Sequence, residues 1–271
     1  MSAAFSAGAL DPQGVAQHLS PACRAALRLQ VQPQVTSTNL LLRRQAEQGA
    51  PEGTALLADA QTAGRGRLGR QFYSPEGTGL YLSLLLRPAA LPLDRAVHIT
   101  TMAAVAVCRA IEELGGGPAQ IKWVNDVFLH GRKVCGILTE SALNARAGCL
   151  DWAVVGIGVN VCPPAGGFPP ELDGVAGAVF DAPLPDAQNR LAAAVLDHLW
   201  ACYTGAPYAA EYRRRSLVVG RQIRVISPAG QRSALALDVD DDCRLLVQYP
   251  DGRREALSTG EISIRLAPEN G

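Results

Sequence analysis

The sequence predicts an α+β protein, with a mixed β-sheet, helices on one face of it, and a small C-terminal β-domain. Two observations predict the first part. Strand-like and helix-like segments are mixed without the strict alternation of a doubly wound sheet, and 93–114 is a long helical pattern ended by three glycines. One observation predicts the second part: after Val219, short strand patterns are separated by turn residues, as in a small barrel or sandwich.

The first elements follow from local signals. Residues 1–20 are expected to be a loosely ordered start. Ser20 as N-cap and Pro21 in the first turn predict a short helix. The triplet 37–39 stands before a second helical stretch, which Gly49 ends. The strands predicted from runs of apolar residues are 27–31, 54–60, 79–87, 121–124, 127–129, 133–141 and 152–161.

The second half of the chain indicates where the domains meet. The proline-rich stretch 163–185 predicts a surface loop, and 187–217 is helical with a break at 205–207. We therefore expect a larger domain over 1–217 and a smaller one over 218–271.

Composition excludes several classes of protein. Hydrophobic residues make up 48% of the chain, enough for a sizeable core, and 25 basic residues balance 25 acidic ones. Zero net charge gives no overall attraction to nucleic acid or to an anionic membrane. Seven scattered cysteines without a C-x-x-C pair indicate a reducing compartment rather than a disulfide or zinc framework. We see no secretory signal and no membrane-spanning run, and expect a cytoplasmic protein.

The segment 61–70, QTAGRGRLGR, carries the strongest chemical signal. Glycine lets the backbone approach a ligand closely, and successive N–H groups can bind an anion. Arginine adds a planar donor that binds phosphate or carboxylate oxygens in pairs. The spacing of Gly64, Gly66 and Gly69 also fits a dinucleotide fingerprint, which needs a helix opening at the glycines. Strand or loop residues follow here, and the kinase signatures are absent from the sequence, so an anion-binding loop is the better interpretation.

With its neighbours, this loop resembles the GRGRxGR signature of biotin–protein ligases. Other family motifs occur in the same order along the chain. They are Ser37-Thr38-Asn39 for S-T-N, Gln61 before the loop, Lys122-Trp123-Val124-Asn125-Asp126 for K-W-P-N-D, Gly131 to Leu138 for G-x-K-x-x-G-I-L, Gly156 to Val161 for G-I-G-x-N, and Gly260 to Arg265 for G-E-I-S. The similarity runs from about Thr36 to Arg265, and the chain is identified as a member of that family.

The resemblance implies a catalytic domain similar to class II aminoacyl-tRNA synthetases and an SH3-like C-terminal domain. Two positions depart from the family pattern: Val124 replaces a proline, and Phe72 stands where tryptophan is frequent. Some members carry an N-terminal winged helix-turn-helix that binds DNA. About 35 residues precede Thr36 here, so we expect a ligase without DNA binding.

The resemblance also implies a reaction and its residues. Biotin is activated with ATP to biotinyl-5'-AMP, with Lys133 and Arg67 as catalytic residues. The residues implied for biotin binding are Ser37, Thr38, Asn39, Gln61, Arg65, Gly66, Arg67, Lys133 and Gly136. Those implied for ATP are Arg67, Arg70, Phe72, Lys122, Asn125, Asp126 and Asn160. Asp126 and Asn160 are candidate Mg²⁺ ligands, and they are equally ordinary turn residues.

The expected partner is a biotin carboxyl carrier protein or domain of a carboxylase, which receives biotin on a lysine. The sequence leaves a homodimer open. Two other functions also stay open. One is a lipoate or octanoyl protein ligase of the same fold group, against which the complete arginine loop argues. The other is a non-enzymatic nucleic-acid binder, against which the neutral net charge argues.

Overall fold

The computed structural model describes residues 10–88, 91–92, 95–144, 148–227, 230–258 and 263–266. The helices in these ranges are α1 (Pro12–His18), α2 (Pro21–Ala26), α3 (Thr38–Glu47), α4 (Val97–Glu113), α5 (Ala187–Tyr203) and α6 (Ala209–Arg214). The strands are β1 (Arg28–Val35), β2 (Thr54–Gln61), β3 (Gly79–Leu86), β4 (Gln120–Lys122), β5 (Asp126–Leu129), β6 (Arg132–Asn144), β7 (Cys149–Asn160), β8 (Gln222–Ser227), β9 (Gly230–Val239), β10 (Leu245–Gln248), β11 (Arg254–Leu257) and β12 (Ser263–Leu266).

The larger sheet has seven strands in the order β1-β2-β3-β7-β6-β5-β4. β1 and β2 are parallel, because the chain crosses between them through α3. The other neighbouring pairs are antiparallel. The mixed sheet that the irregular order of elements predicts is therefore confirmed.

The two faces of this sheet bury different clusters, since successive residues of a strand point to opposite faces. Leu84 of β3 and Val155 of β7 belong to the large core, together with residues of α4 and α5. Their neighbours Leu85 and Val154 belong to a smaller cluster with Leu42 of α3. The two long helices thus share one face, but α3 lies on the other, so the prediction of helices on one face is wrong for α3. The α3 face of the sheet is where the candidate site lies.

The start of the chain is better ordered than predicted. Asp11 caps α1 by accepting hydrogen bonds from the first-turn N–H groups. Its own N–H donates to Oδ1 of Asn189 on α5 at 3.1 Å, and Val15 is fully buried. The expectation of a loosely ordered start is therefore wrong for residues 10–20, and residues 1–9 lie outside the described ones.

The C-terminal part forms a separate five-stranded antiparallel sheet in the order β11-β10-β9-β8-β12, which confirms the small β-domain. It contacts the larger domain near the candidate site. The Trp123 indole N–H donates to the Cys243 carbonyl at 2.9 Å, and the Arg213 guanidinium donates to the Val239 carbonyl. The first three residues of the G-E-I-S motif, 260–262, lie outside the described residues.

The remaining elements follow the sequence closely. The helical pattern at 93–114 corresponds to α4, which begins at Val97. The proline-rich stretch is irregular apart from a 3₁₀ turn at Pro170–Leu172. The expected helix break separates α5 from α6. Among the described helices, none is both long enough and apolar enough to cross a membrane.

Candidate active site

Glycines form the floor of the site at the centre of the sheet. Asp126, Gly136 and Gly158 are paired in one row across β5, β6 and β7, and Tyr81 of β3 continues the row. The Phe72 ring lies over this floor, since a Cβ at Gly158 would be 2.7 Å from a ring carbon of Phe72. Any larger residue at Gly158 would displace the ring. The missing side chains therefore create the space above the sheet.

The arginine loop folds as a small hairpin over the same floor. Arg65 pairs with Gln71 as an isolated antiparallel bridge, and the Gly66 N–H donates to the Arg70 carbonyl at 2.7 Å. A 3₁₀ turn, Arg67–Gly69, forms the tip, where Leu68 adopts a positive φ of 57°. The hairpin directs its arginines along the edge of the cavity below.

That cavity has a volume of about 150 Å³ and is strongly cationic. Five cationic side chains and one carboxylate line it: Arg65, Arg67, Arg70, Lys122, Lys133 and Asp126. Such an excess of positive charge in a concave site attracts a polyanion. The cavity therefore has the electrostatics of a phosphate site.

Polar partners hold the two predicted catalytic cations. The Lys133 Nζ lies 2.7 Å from Oδ1 of Asp126, and the Arg67 Nη1 donates to Oδ1 of Asn125 at 3.0 Å. Burial lowers the pKa of the Arg67 guanidinium from its ordinary value; the Asp126 charge opposes this shift, and the Arg70 charge adds to it. Arginine still stays protonated at neutral pH, so Arg67 brings a partly desolvated positive charge to the cavity.

A second pocket adjoins the cavity at the N-terminus of α3. Its lining includes the predicted residues Ser37, Thr38 and Gln61. The Gln61 Oε1 accepts hydrogen bonds from Thr38 N at 2.9 Å and Thr38 Oγ1 at 3.3 Å, and Gln61 Nε2 donates to Ser74 Oγ at 3.0 Å. The first N–H groups of a helix lack intrahelical partners and suit a polar ligand. Apart from Arg65, which also lines the cationic cavity, this pocket therefore offers neutral donors and acceptors.

Asn39 faces the sheet. Its Nδ2 donates to the Leu138 carbonyl at 3.0 Å and to Oε2 of Glu140 at 3.1 Å, and its Oδ1 accepts from Ser83 Oγ at 2.6 Å. The sequence motif brings Asn39 to the second pocket, but these bonds engage both ends of its amide. Ser83 and Glu140 carry no local sequence signal, so neither is predicted from the sequence.

Three of the seven predicted nucleotide residues lie around one turn. Lys122, Asn125 and Asp126 flank the turn between β4 and β5, which contains a cis peptide bond between Trp123 and Val124. Asn125 is fixed by its Nδ2, which donates to the Ile137 carbonyl at 2.9 Å. The turn thus presents three polar side chains at the same end of the cavity.

Asn160 lies apart from that turn. It is on β7, two residues beyond Gly158, whose row contains Asp126. Two strand spacings and two residues separate the Asp126 and Asn160 backbones by about 12 Å. The Asn160 Nδ2 donates to the Gly177 carbonyl at 2.9 Å. The described residues contain no group of three or more His, Cys, Asp or Glu side chains able to hold a metal.

The fold and this pair of pockets define the class of protein: a ligase that attaches an activated acid to a protein. A model of the biotin/lipoate A/B protein ligase family matches residues 30–160, and a model of the biotin protein ligase C-terminal domain matches residues 218–265. The chain belongs to the biotin protein ligase family.

Individual relatives agree with this assignment. The chain is 33% identical over 265 residues to the biotin–[acetyl-CoA-carboxylase] ligase of Mycobacterium tuberculosis, covering 93% of this chain and 95% of that protein. It is 34% identical over 235 residues to the bifunctional ligase/repressor BirA of Bacillus subtilis, covering 83% and 70%. The structure of the Aquifex aeolicus biotin protein ligase in complex with biotin and ATP superposes with a TM-score of 0.72 at 27% identity, covering 89% of this chain and 99% of that one.

Proposed function

We propose that the chain activates biotin with ATP to biotinyl-5'-AMP and transfers the biotinyl group to a lysine of a biotin carboxyl carrier protein. One observation carries the proposal. The second pocket, whose polar lining is neutral apart from Arg65, and the cationic cavity meet at Gly136, Leu138, Phe72 and Arg65, which line both. At this junction a Cβ on Gly136 would lie 3.4 Å from the Lys133 Nζ. A molecule with a neutral polar head and a carboxylate tail fits across the junction.

Biotin would lie with its ureido head against Ser37, Thr38 and Gln61. A ureido group has both N–H donors and a carbonyl acceptor, which the hydroxyls, the amide and the helix N–H groups there can complement. The apolar chain would pass over Gly136, where the absence of a side chain leaves room. The carboxylate would then reach Lys133.

In the first step the biotin carboxylate oxygen attacks the α-phosphorus of ATP and pyrophosphate leaves. Both reactants are anions, so the site must hold them together against their repulsion. Lys133 and Arg67 would neutralise the charge that develops on the phosphoryl oxygens, as fixed donors in a partly desolvated cavity. Arg65, Gly66 and Arg70 would complete the enclosure from the loop.

The nucleotide would occupy the cationic cavity, with Phe72, Lys122, Asn125 and Asn160 on its adenosine and phosphate sides. Mg²⁺ prefers oxygen ligands and is usually bound by one or two carboxylates plus substrate phosphates. Asp126 fits the role of the protein carboxylate, whereas the wide separation from Asn160 argues against both residues holding one ion. The metal would supply charge neutralisation for the phosphates of ATP.

In the second step the amine of an acceptor lysine attacks the carbonyl of the mixed anhydride. An amide bond forms and AMP leaves. The acceptor must approach from the open side of the α3 face, because the large core closes the other face. We propose no DNA-binding role for this chain.

Biotin-dependent exchange of pyrophosphate into ATP tests the proposal. We expect exchange with biotin and none above background with lipoate or octanoate. The comparison matters because the matching family model covers both biotin and lipoate ligases. Exchange with lipoate and not with biotin would indicate that the protein is a lipoate ligase. Absence of exchange, together with salt-sensitive binding to oligonucleotides, would favour a nucleic-acid binder.

A further inference from the structure

Glu140 lies on the site face of β6, beside the arginine loop, and no sequence motif marks it. Both of its carboxylate oxygens accept from Arg65 Nη1, at 2.9 and 3.0 Å. Arg43 of α3 lies 3.6 Å from the same carboxylate. The Glu140 side chain is 17% exposed, whereas that of Arg65 is 41% exposed. Glu140 is therefore the more buried partner of an ion pair that attaches the loop to the sheet.

Buried hydrogen bonds fix the position of Glu140 itself. Asn39 Nδ2 donates to Glu140 Oε2 at 3.1 Å, and Ser83 Oγ donates to Asn39 Oδ1 at 2.6 Å. Ser83 and Asn39 are both buried. The series Ser83, Asn39, Glu140 and Arg65 thus connects β3, α3, β6 and the arginine loop. An arginine anchored through such a series has little freedom to move away.

The loop needs such an anchor because its own charges oppose closure. Three arginines within six residues repel one another, and the tip residue Leu68 is 67% exposed, so packing adds little there. A hydrogen bond between charged groups is stronger than one between neutral groups. The Glu140 carboxylate supplies such a charged hydrogen bond at Arg65, where the loop begins to cross the pockets.

We propose that Glu140 is a positioning residue for the reaction, which holds Arg65 and thereby keeps the loop over the junction of the two pockets. Arg65 then acts mainly as the anchor of the loop, and Arg67 and Lys133 provide the charges that face the substrates. The consequence for catalysis rests on the proposed function, whereas the anchoring of the loop does not.

Glu140→Gln tests the anchor, since it removes the charge and keeps the size of the side chain. The matched control is Glu47→Gln, because Glu47 is an exposed carboxylate paired at 3.5 Å with Arg43. Trypsin cleaves after arginine, so limited proteolysis of the ligand-free chain with mass mapping reports opening at Arg65, Arg67 and Arg70. We expect cleavage there to be about 10-fold faster in Glu140→Gln, for loss of about 1.4 kcal/mol of a charge-assisted bond, and unchanged in the control.

Pyrophosphate exchange provides the second readout. We expect Glu140→Gln to raise KM for biotin by about 10-fold with kcat within about 3-fold of the parent, because the loop still closes once the substrate is bound. Loop cleavage at the parental rate in Glu140→Gln would overturn the proposal. So would a Glu140→Gln/Arg65→Gln double variant whose fold-increase in cleavage at Arg67 and Arg70 equals the product of the two single-variant increases, since residues that interact as a pair are not additive in free energy. If Glu140→Gln is cleaved faster but the parent shows no biotin-dependent exchange, the anchoring of the loop by Glu140 stands and only the proposed function is refuted.

Discussion

Lys133→Gln should abolish most of the adenylation activity while leaving the fold nearly intact. The β6 backbone at this position is held independently of the side chain: the Lys133 N–H donates to the Val175 carbonyl at 2.9 Å, and the Gly177 N–H donates to the Lys133 carbonyl at 2.9 Å. The amine pairs with Asp126 at 2.7 Å, and the two side chains are 32% and 20% exposed. Loss of a partly exposed pair costs about 1 kcal/mol of stability.

The expected catalytic loss is much larger. Removing one preorganised donor to a developing oxyanion typically costs about 10²–10³-fold in rate. The amine lies over Gly136, where the two pockets meet, so the substitution removes a charge from the point at which the two anions must approach. The loss should therefore appear in kcat for adenylation rather than in the melting temperature.

Biotin-dependent pyrophosphate exchange measures this loss, and urea unfolding measures the change in stability. Arg132→Gln is the matched control, because Arg132 is the adjacent residue on β6 and is exposed. We expect the control to exchange pyrophosphate at the parental rate. If Lys133→Gln also exchanged within about twofold of the parent, the assignment of Lys133 to the phosphoryl oxygens would be wrong.

Three further outcomes follow from the same geometry. Arg67→Gly should still bind biotin but release biotinyl-5'-AMP about 10-fold faster, through loss of a charged donor; an unchanged off-rate in a chase experiment would contradict this. Trp123→Phe removes the hydrogen bond to the C-terminal domain and should lower the free energy of unfolding by about 1–3 kcal/mol. It should also raise KM for ATP, whereas the control Trp152→Phe should leave KM for ATP unchanged. Burial raises the pKa of the Cys108 thiol to about 12. This thiol should resist alkylation at pH 8 until the chain unfolds, so rapid labelling of the native chain would refute the prediction. Because the thiol of the unfolded chain ionises at lower pH than that of the folded chain, the free energy of unfolding should fall as pH rises above about 9. A free energy of unfolding that rises over this range would also refute it.

The features that the sequence predicts well are local. The residue types of the arginine loop indicate an anion-binding segment, whereas Lys133 is singled out only by its resemblance to a family motif; the structure places both at the cationic cavity. Helix starts such as that of α3 carry their own caps, and Ser37 accepts from Leu40 N at 3.5 Å. The mixed sheet follows from the irregular order of strands and helices. Each of these signals lies within a few residues of what it specifies.

The features that the sequence misses depend on long-range pairing. Asn39 contacts Glu140 across 101 positions, and no pattern near either residue reveals the other. The ordered structure of residues 10–20 is missed for the same reason. Asp11 hydrogen-bonds to Asn189, which lies 178 positions away in the sequence.

The proposed metal pair is a third case. Asp126 and Asn160 both occur in motif positions, but the register of β5, β6 and β7 decides how far apart they lie. That register follows from the pairing of complete strands. The motifs therefore indicate which residues belong to the site, while the sheet determines which of them can act together.

Transfer to an acceptor is the most direct test of the central claim that the two pockets join biotin to ATP and then to a lysine. A biotin carboxyl carrier domain is incubated with the chain, biotin and ATP with Mg²⁺, and its intact mass is measured. We expect the mass of one added biotinyl group, located on a single lysine and dependent on ATP. An acceptor that stays unmodified under these conditions, or that gains the same group without ATP, would contradict it.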